Sequence, residues 1–484
     1  MQYKTLRKKY PKFVYENYSW QIVGKDLNIF FYFKIPADIE FCPKIIIKNV
    51  NQNQIKKVGA SRLNNLVFHL GLIELFSYWK ATCSPQIEIR AGQLNREQIL
   101  WWKNLIINGM GQFFYENKIN FLKSNFLKLN VTRKVLVTLP KRGLLKNKIL
   151  VPVGGGKDSI VTLEILKNSP STSWRKRSGK IKCFSLNPTK PAKEIMKIGE
   201  CQKPIIIIRK IDKKLLELNQ KGYLNGHTPF SAYLAFLSVL VATIFGYQDI
   251  AFSNERSSNE GNVNYLERVI NHQYSKSFDF EKKFRKYSKK HLTPNVEYFS
   301  FLRPLYEIQI ARLFSRYPKY FRKFLSCNVA FQTDSGRKKP IKKWCGRCPK
   351  CLFIFASLYP FVESKELIKI FGKNLFSDKD LLPTMLQLIG EKDFKPFECV
   401  GTEKESRVAF YLSWKTLRQC QGKKDRGRVS IKLPFLLNYF EEKVLPQYPE
   451  LEKEAKKILN SWDKEHNLTE EFIKILKKAI SKKD

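Results

Sequence analysis

The chain has 484 residues, an ordinary apolar fraction of 43%, and 88 Lys and Arg against 43 Asp and Glu, a net charge of +45. Those figures exclude a disordered chain and leave room for two or three domains with hydrophobic cores. The positive charge is spread along the sequence rather than gathered in a stripe, so it favours an anionic partner without choosing among phosphates, carboxylates and RNA.

Met1 to Tyr18 is basic and aromatic with no uninterrupted apolar core, so no signal peptide is expected and the chain reads as soluble and cytoplasmic. Residues 1–140 read as an N-terminal α+β domain, with strand-like runs at Leu27–Phe33 and Lys44–Lys48 and helical stretches at Leu63–Trp79 and Arg96–Glu116. The first helix ends in Lys80, Thr82, Cys83 and Ser84 before Pro85; Cys83 is either a base or a buried thiol. Trp101 and Trp102 are expected to pack.

Residues 141–362 alternate strand candidates (Ile149–Val153, Ile181–Leu186, Pro204–Arg209, Asp249–Ser253) with helical patterns beginning at Ser159, Pro191 and Pro229. Such alternation predicts an α/β fold with a doubly wound parallel sheet and ligands at the strands' carboxyl ends. There the strands lead into Gly154–Ser159, Asn187, Lys210 and Asn254–Glu255. Phe230–Phe245 is uncharged but shorter than the roughly 20 residues that cross a bilayer. It reads as a helix buried against the sheet, and no membrane span is expected. Residues 363–484 read as a charged, helix-rich C-terminal region.

The most informative segment is Ile149-Leu-Val-Pro-Val-Gly154-Gly155-Gly156-Lys157-Asp158-Ser159. Glycines without Cβ let backbone N–H groups turn inward, and the following helix N-terminus adds unpaired donors, so an anion is favoured there. The Walker spacing is absent. The loop instead resembles the Ser-Gly-Gly-x-Asp-Ser loop of the PP-loop ATP pyrophosphatases, with Gly154 in the place of the serine. The resemblance implies ATP cleaved between its α and β phosphates and transfer of the adenylate to a substrate oxygen.

Ten cysteines in a chain without a secretion signal are expected to stay free or bind metal. Cys345-Gly-Arg-Cys348-Pro-Lys-Cys351, with Cys327 a loop away, has the spacing of a four-thiolate structural zinc site. The pattern also resembles the zinc motif of deazaguanine nitrile synthases, themselves PP-loop enzymes. Asn254-Glu255-Arg-Ser-Ser-Asn259-Glu-Gly-Asn262 is too polar for a core and sits where substrate and magnesium would bind. His272 lies in the polar run Asn271–Lys276 as a proton-transfer or substrate group, and His227 before Pro229 reads equally well as a cap.

Taken together, Leu70–Pro85, Trp101–Tyr115, Val151–Ser159, Asn254–Asn262, Asn271–Ser277, Trp344–Cys351 and Lys395–Thr402 resemble the UDP-N-acetylmuramoyl-L-alanyl-L-glutamate epimerase (MurL) family. The strings Ser-Tyr-Trp-Lys-Ala-Thr-Cys-Ser-Pro and Lys-Pro-Phe-Glu-Cys-Val-Gly-Thr narrow the choice to it. The resemblance implies ATP- and Mg²⁺-dependent inversion of the terminal L-glutamate of UDP-MurNAc-L-Ala-L-Glu, with structural Zn²⁺ and no stable nucleic-acid partner. Gly154, Gly155, Gly156, Lys157 and Ser159 would hold phosphates, Asp158 Mg²⁺, and Asn187 adenine or ribose. Asn254, Glu255, Asn259, His272 and Lys276 would meet substrate. Glu255, Asn259 and His272 are candidates for proton transfer as well, with Asp158 and Glu255 among the catalytic residues, and the base is open among His272, Lys80, Cys83 and Cys399. A tRNA thiolase, a deazaguanine nitrile synthase or a basic RNA-binding scaffold are the alternatives.

Overall fold

A computed structural model of the chain describes residues 2–36, 39–132, 148–169, 181–331, 343–424 and 432–482. Its strands are β1 (Lys12–Val23), β2 (Asp26–Ile35), β3 (Ile39–Phe41), β4 (Lys44–Lys48), β5 (Gln86–Ile89), β6 (Lys128–Val131) and β7 (Ile149–Pro152). They continue with β8 (Ile181–Leu186), β9 (Ile205–Lys210), β10 (Asp249–Phe252), β11 (Val263–Tyr265), β12 (Arg268–Ile270) and β13 (Glu297–Ser300). One mixed sheet runs in the order β13-β10-β7-β8-β9-β4-β2-β1-β5-β6 with β3 on β2, and β11–β12 is a separate hairpin.

From β13 to β9 all neighbours are parallel. At the seam, β9 meets β4 antiparallel, through pairs such as Ile46 with Ile208. Beyond it β4, β2 and β1 are antiparallel, while β5 and β6 run parallel to β1 and to each other. The boundary expected at residue 140 lies outside the described residues, and strands on either side of it share this sheet.

Successive side chains of a strand point to opposite faces. In β7, Ile149 and Val151 join the core that includes the Lys157–Asn168 helix, whereas Leu150 joins the core that includes the Phe230–Phe245 helix. Burial on both faces explains why these short strands read as unbroken apolar runs. The Phe230–Phe245 helix needs almost no polar face because it packs on β7, β10 and the Ala60–Trp79 helix. Among the described residues no helix is long and apolar enough to cross a membrane. Trp101 and Trp102 pack with Tyr287 and Phe236, and Trp102 Nε1 donates to the Tyr287 hydroxyl at 2.9 Å.

The C-terminal region is helical. Pro349–Leu358, Glu403–Lys424 and Leu451–Leu459 pack on the Glu307–Ser315 helix, so the core is continuous across residue 362. One expectation is corrected: Cys183 and Cys201 are joined in a disulfide rather than being free or metal-bound. Cys183 on β8 and Cys201, just past the Lys190–Ile198 helix, are both packed into one core, which brings the two sulfurs together.

Candidate active site

The glycine loop leaves β7 and enters the Lys157–Asn168 helix. Gly155 has φ +105°, a left-handed-side conformation that only glycine adopts freely, and a Cβ there would lie 3.3 Å from the Ala192 backbone nitrogen. A Cβ on Gly154 would meet nothing within 4 Å. Ser159 Oγ donates to the Gly156 carbonyl at 2.9 Å and closes the first turn of the helix.

Turning into the protein from this loop, the Lys157 ammonium is buried between the carboxylates of Asp158 and Glu307. Carboxylate oxygens of Asp158, Glu255 and Glu307 all lie within 4.8 Å of one another, in an arrangement able to hold a metal ion. Glu255 follows β10, and Glu307 opens the helix after β13. Lys350 stands 3.7 Å from Glu307. Burial lifts Glu255, and Glu307 beside it adds to the effect, so its carboxyl is pushed up to about 7. Burial and Glu307 likewise raise Asp158. Burial also works against ionised Glu307, but Lys157 and Lys350 outweigh it and hold that carboxyl below its usual range. Three carboxylates this close repel one another, and a divalent cation among them removes that penalty.

Arg303, fully buried, fixes the loops on which these groups sit. It donates to the carbonyl of Glu255 at 2.6 Å and to that of Lys276, and pairs with Glu281 at 3.2 Å. Lys276 Nζ then donates to Cys399 Sγ at 3.0 Å. Cys399 Sγ is 3.9 Å from His272 Nε2, and the Cys399 carbonyl accepts from Lys350. His272 Nδ1 is 2.5 Å from Gln112 Oε1, so it carries the hydrogen and leaves Nε2 as the acceptor facing the thiol. Burial lowers His272 to about 3, helped by Lys276, Lys395 and Lys350, so the ring is neutral. The His227 ring packs against it at a tilt, centroids 4.5 Å apart, and His227 Nδ1 is buried without a hydrogen-bond partner. Lys80 Nζ donates to Asn225 Oδ1 at 2.7 Å and to the Gly226 carbonyl at 2.8 Å, next to His227. Burial, then the charge of Arg209, lowers Lys80 to about 8.

The site thus draws Lys80 and Gln112 from the N-terminal half, the carboxylates, histidines and Lys276 from the middle, and Cys399 from the C-terminal region. Other residues singled out from sequence have structural partners. Cys83 is buried, with its thiol and carbonyl held by Arg7 and burial pushing the thiol up to about 12. Asn187, in the left-handed region, exchanges two 2.9 Å hydrogen bonds with the Arg209 backbone. Asn254 donates to Ser300 Oγ at 3.0 Å, and Asn259 accepts from the Phe278 amide at 2.8 Å; both brace loops. Sequence reasoning missed Glu307, Gln112, Lys350 and Lys395.

Cys327, Cys345, Cys348 and Cys351 converge, with sulfur separations of 3.8, 3.6 and 3.5 Å. Four thiolates about 2.3 Å from a tetrahedral zinc would sit about 3.8 Å apart, so the set fits that ion. A cavity of about 460 Å³ adjoins the loop, lined by Thr189, Pro191, Phe324, Leu325 and Trp344 among others. Leu325 donates its amide to the Gly155 carbonyl at 2.9 Å. Trp344 Nε1, on a residue of its lining, is buried without a partner, as is Ser326 Oγ next to Leu325 in the chain.

Residues 4–301 match the family model of the MurL N-terminal domain, and residues 323–423 that of the MurL C-terminal domain. The chain is similar to the UDP-N-acetyl-alpha-D-muramoyl-L-alanyl-L-glutamate epimerase of Salinispora tropica, 38% identical over 73% of this chain and 74% of the relative. It is similarly related to the epimerases of the same name from Xanthomonas oryzae (35%, over 72% and 75%) and a Micromonospora species (33%, over 73% and 75%). No solved structure matches it.

Proposed function

Because the chain belongs to the MurL epimerase family, we propose that it is an isomerase that inverts the terminal glutamate of UDP-MurNAc-L-Ala-L-Glu from L to D for peptidoglycan synthesis, consuming ATP to AMP and diphosphate. The observation that carries the ATP-dependent part is the meeting of Asp158, Glu255 and Glu307 with Lys157 at the mouth of the glycine loop.

A Cα proton beside a free carboxylate is very weakly acidic, because its loss puts a second negative charge next to the first. Adenylating the α-carboxylate turns it into an acyl group that accepts the electron pair as an enolate. Each ~1.4 kcal/mol removed from the barrier is tenfold in rate.

On this reading the parallel half of the sheet is a PP-loop nucleotide unit. Backbone amides of Gly154–Gly156, with Lys157 and Ser159, receive the β and γ phosphates at the helix N-terminus. Asp158, Glu255 and Glu307 would hold Mg²⁺, which neutralises phosphate charge when bound. The adenine lies in the cavity between Pro191 and Trp344, where the unpartnered Trp344 Nε1 offers a polar contact. Asn187 shapes the turn after β8, its side-chain amide committed to the Arg209 backbone of β9. Cys327, Cys345, Cys348 and Cys351 would hold a structural Zn²⁺ with no coordination position left open.

The test is incubation with UDP-MurNAc-L-Ala-L-Glu and ATP, followed by chiral analysis of the glutamate and assay of AMP. Equal amounts of D-glutamate and AMP are expected. Glutamate that stays wholly L would overturn the proposal, and D-glutamate without AMP would overturn its ATP-dependent part.

A further inference from the structure

We propose that Cys399 and Lys80 are the two proton-transfer groups of the inversion, acting on opposite faces of the glutamate Cα; the assignment rests on the activated-glutamate reading above. Lys276, Cys399, His272 and His227 follow one another in contact, and Lys80 is bound to Asn225 and Gly226, the two residues before His227. Lys276 Nζ lies 3.0 Å from the Cys399 sulfur and donates to it. Cys399 is half-buried and accessible to a substrate, unlike Cys83. Next to it His272 Nε2, a neutral acceptor, stands 3.9 Å from the same sulfur. The unpartnered His227 Nδ1 leaves a buried polar atom for a ligand between the two ends of the row. At the far end, Lys80 is fixed by Asn225 and Gly226.

The Cys399 thiolate takes the Cα proton, and the electron pair of that bond moves through the Cα–C bond onto the acyl oxygen. The Lys80 ammonium then gives a proton to the opposite face of Cα, leaving an amine and a thiol. Solvent takes the thiol's proton and returns one to the amine. Water attacks the acyl carbon, releasing AMP and the D-glutamate carboxylate.

The two groups fail differently, which makes the assignment testable in deuterated water with UDP-MurNAc-L-Ala-L-Glu and ATP. Cys399→Ala, checked against Cys399→Ser, should lower D-glutamate formation and Cα labelling by about 10³-fold while AMP release persists in part. Lys80→Met should still remove the proton, but reprotonation from the Cys399 side returns L-glutamate labelled at Cα with little inversion. Near-wild-type inversion by Cys399→Ala, or unlabelled L-glutamate from Lys80→Met, would overturn the assignment. Cα exchange by the wild type without AMP formation would sink the activation reading instead, and the Cys399→Ala comparison of exchange would still decide the base.

Discussion

Glu255→Gln probes the carboxylate cluster through stability rather than turnover. The side chain is 3% exposed, and its carboxyl is raised from 4.5 to about 7 by burial and by Glu307. In the unfolded chain the group ionises near 4.5, so between pH 4.5 and 7 the folded form keeps a proton that the unfolded form has lost. Stability therefore falls as pH rises through that window, and by pH 8 the penalty on the folded state is about 3 kcal/mol. With an unfolding entropy of about 1 kcal/mol/K for a chain of this length, that amounts to about 3 °C in Tm. The uncharged glutamine carries no such penalty. In EDTA at pH 8 the variant should melt about 3 °C above the wild type, and at pH 4 the difference should vanish. Saturating Mg²⁺ at pH 8 should raise the wild type towards the variant and move the variant little. Thermal melts at the two pH values, with EDTA and with Mg²⁺, give all four numbers. A variant no more stable than wild type at pH 8 in EDTA, or equal Mg²⁺ shifts for both proteins, would refute the argument.

Cys348→Ser should lower zinc content and Tm together, and metal analysis that finds no zinc in freshly purified protein would remove the site's assignment. Asp158→Asn should abolish pyrophosphate release while leaving the circular dichroism spectrum unchanged; pyrophosphate formed at near the wild-type rate would contradict the loop's role. Gly155→Ala should destabilise by about 1–2 kcal/mol, because its φ is unfavourable for a Cβ and the Ala192 backbone stands in the way. Gly154→Ser should be neutral for stability, since the added side chain enters open space, and a large loss of Tm would show the loop is packed otherwise.

Much of the parallel half was legible in the sequence because strands buried on both faces are short apolar runs and little else resembles them. β4 and β8 fall at the expected residues, as does the Phe230–Phe245 helix. β1 was not seen, because its second half alternates half-buried and exposed positions and carries Glu, Asn, Ser and Gln among its aromatics. The seam between β4 and β9 was invisible, since nothing local to Lys44–Lys48 says which strand it meets. The glycine loop and the thiols could be read because their chemistry is concentrated in a few adjacent residues. Glu307 could not: a glutamate opening a helix is what the helix dipole alone favours, and only the return of β13 beside β10 brings it to Asp158. Lys350 was hidden inside the cysteine motif. Asn187 shows why such readings stay open, for a polar residue at a strand's end reads the same whether it meets a ligand or ties down the next strand, as its side chain does to Arg209.

The central claim is that activation precedes proton removal, and one labelling experiment tests it most directly. With UDP-MurNAc-L-Ala-L-Glu and ATP in deuterated water, the D-glutamate product should carry deuterium at Cα. Without ATP, or with an analogue that resists cleavage between the α and β phosphates, neither substrate nor product should gain label. Rapid labelling of the substrate in the absence of ATP would contradict the account.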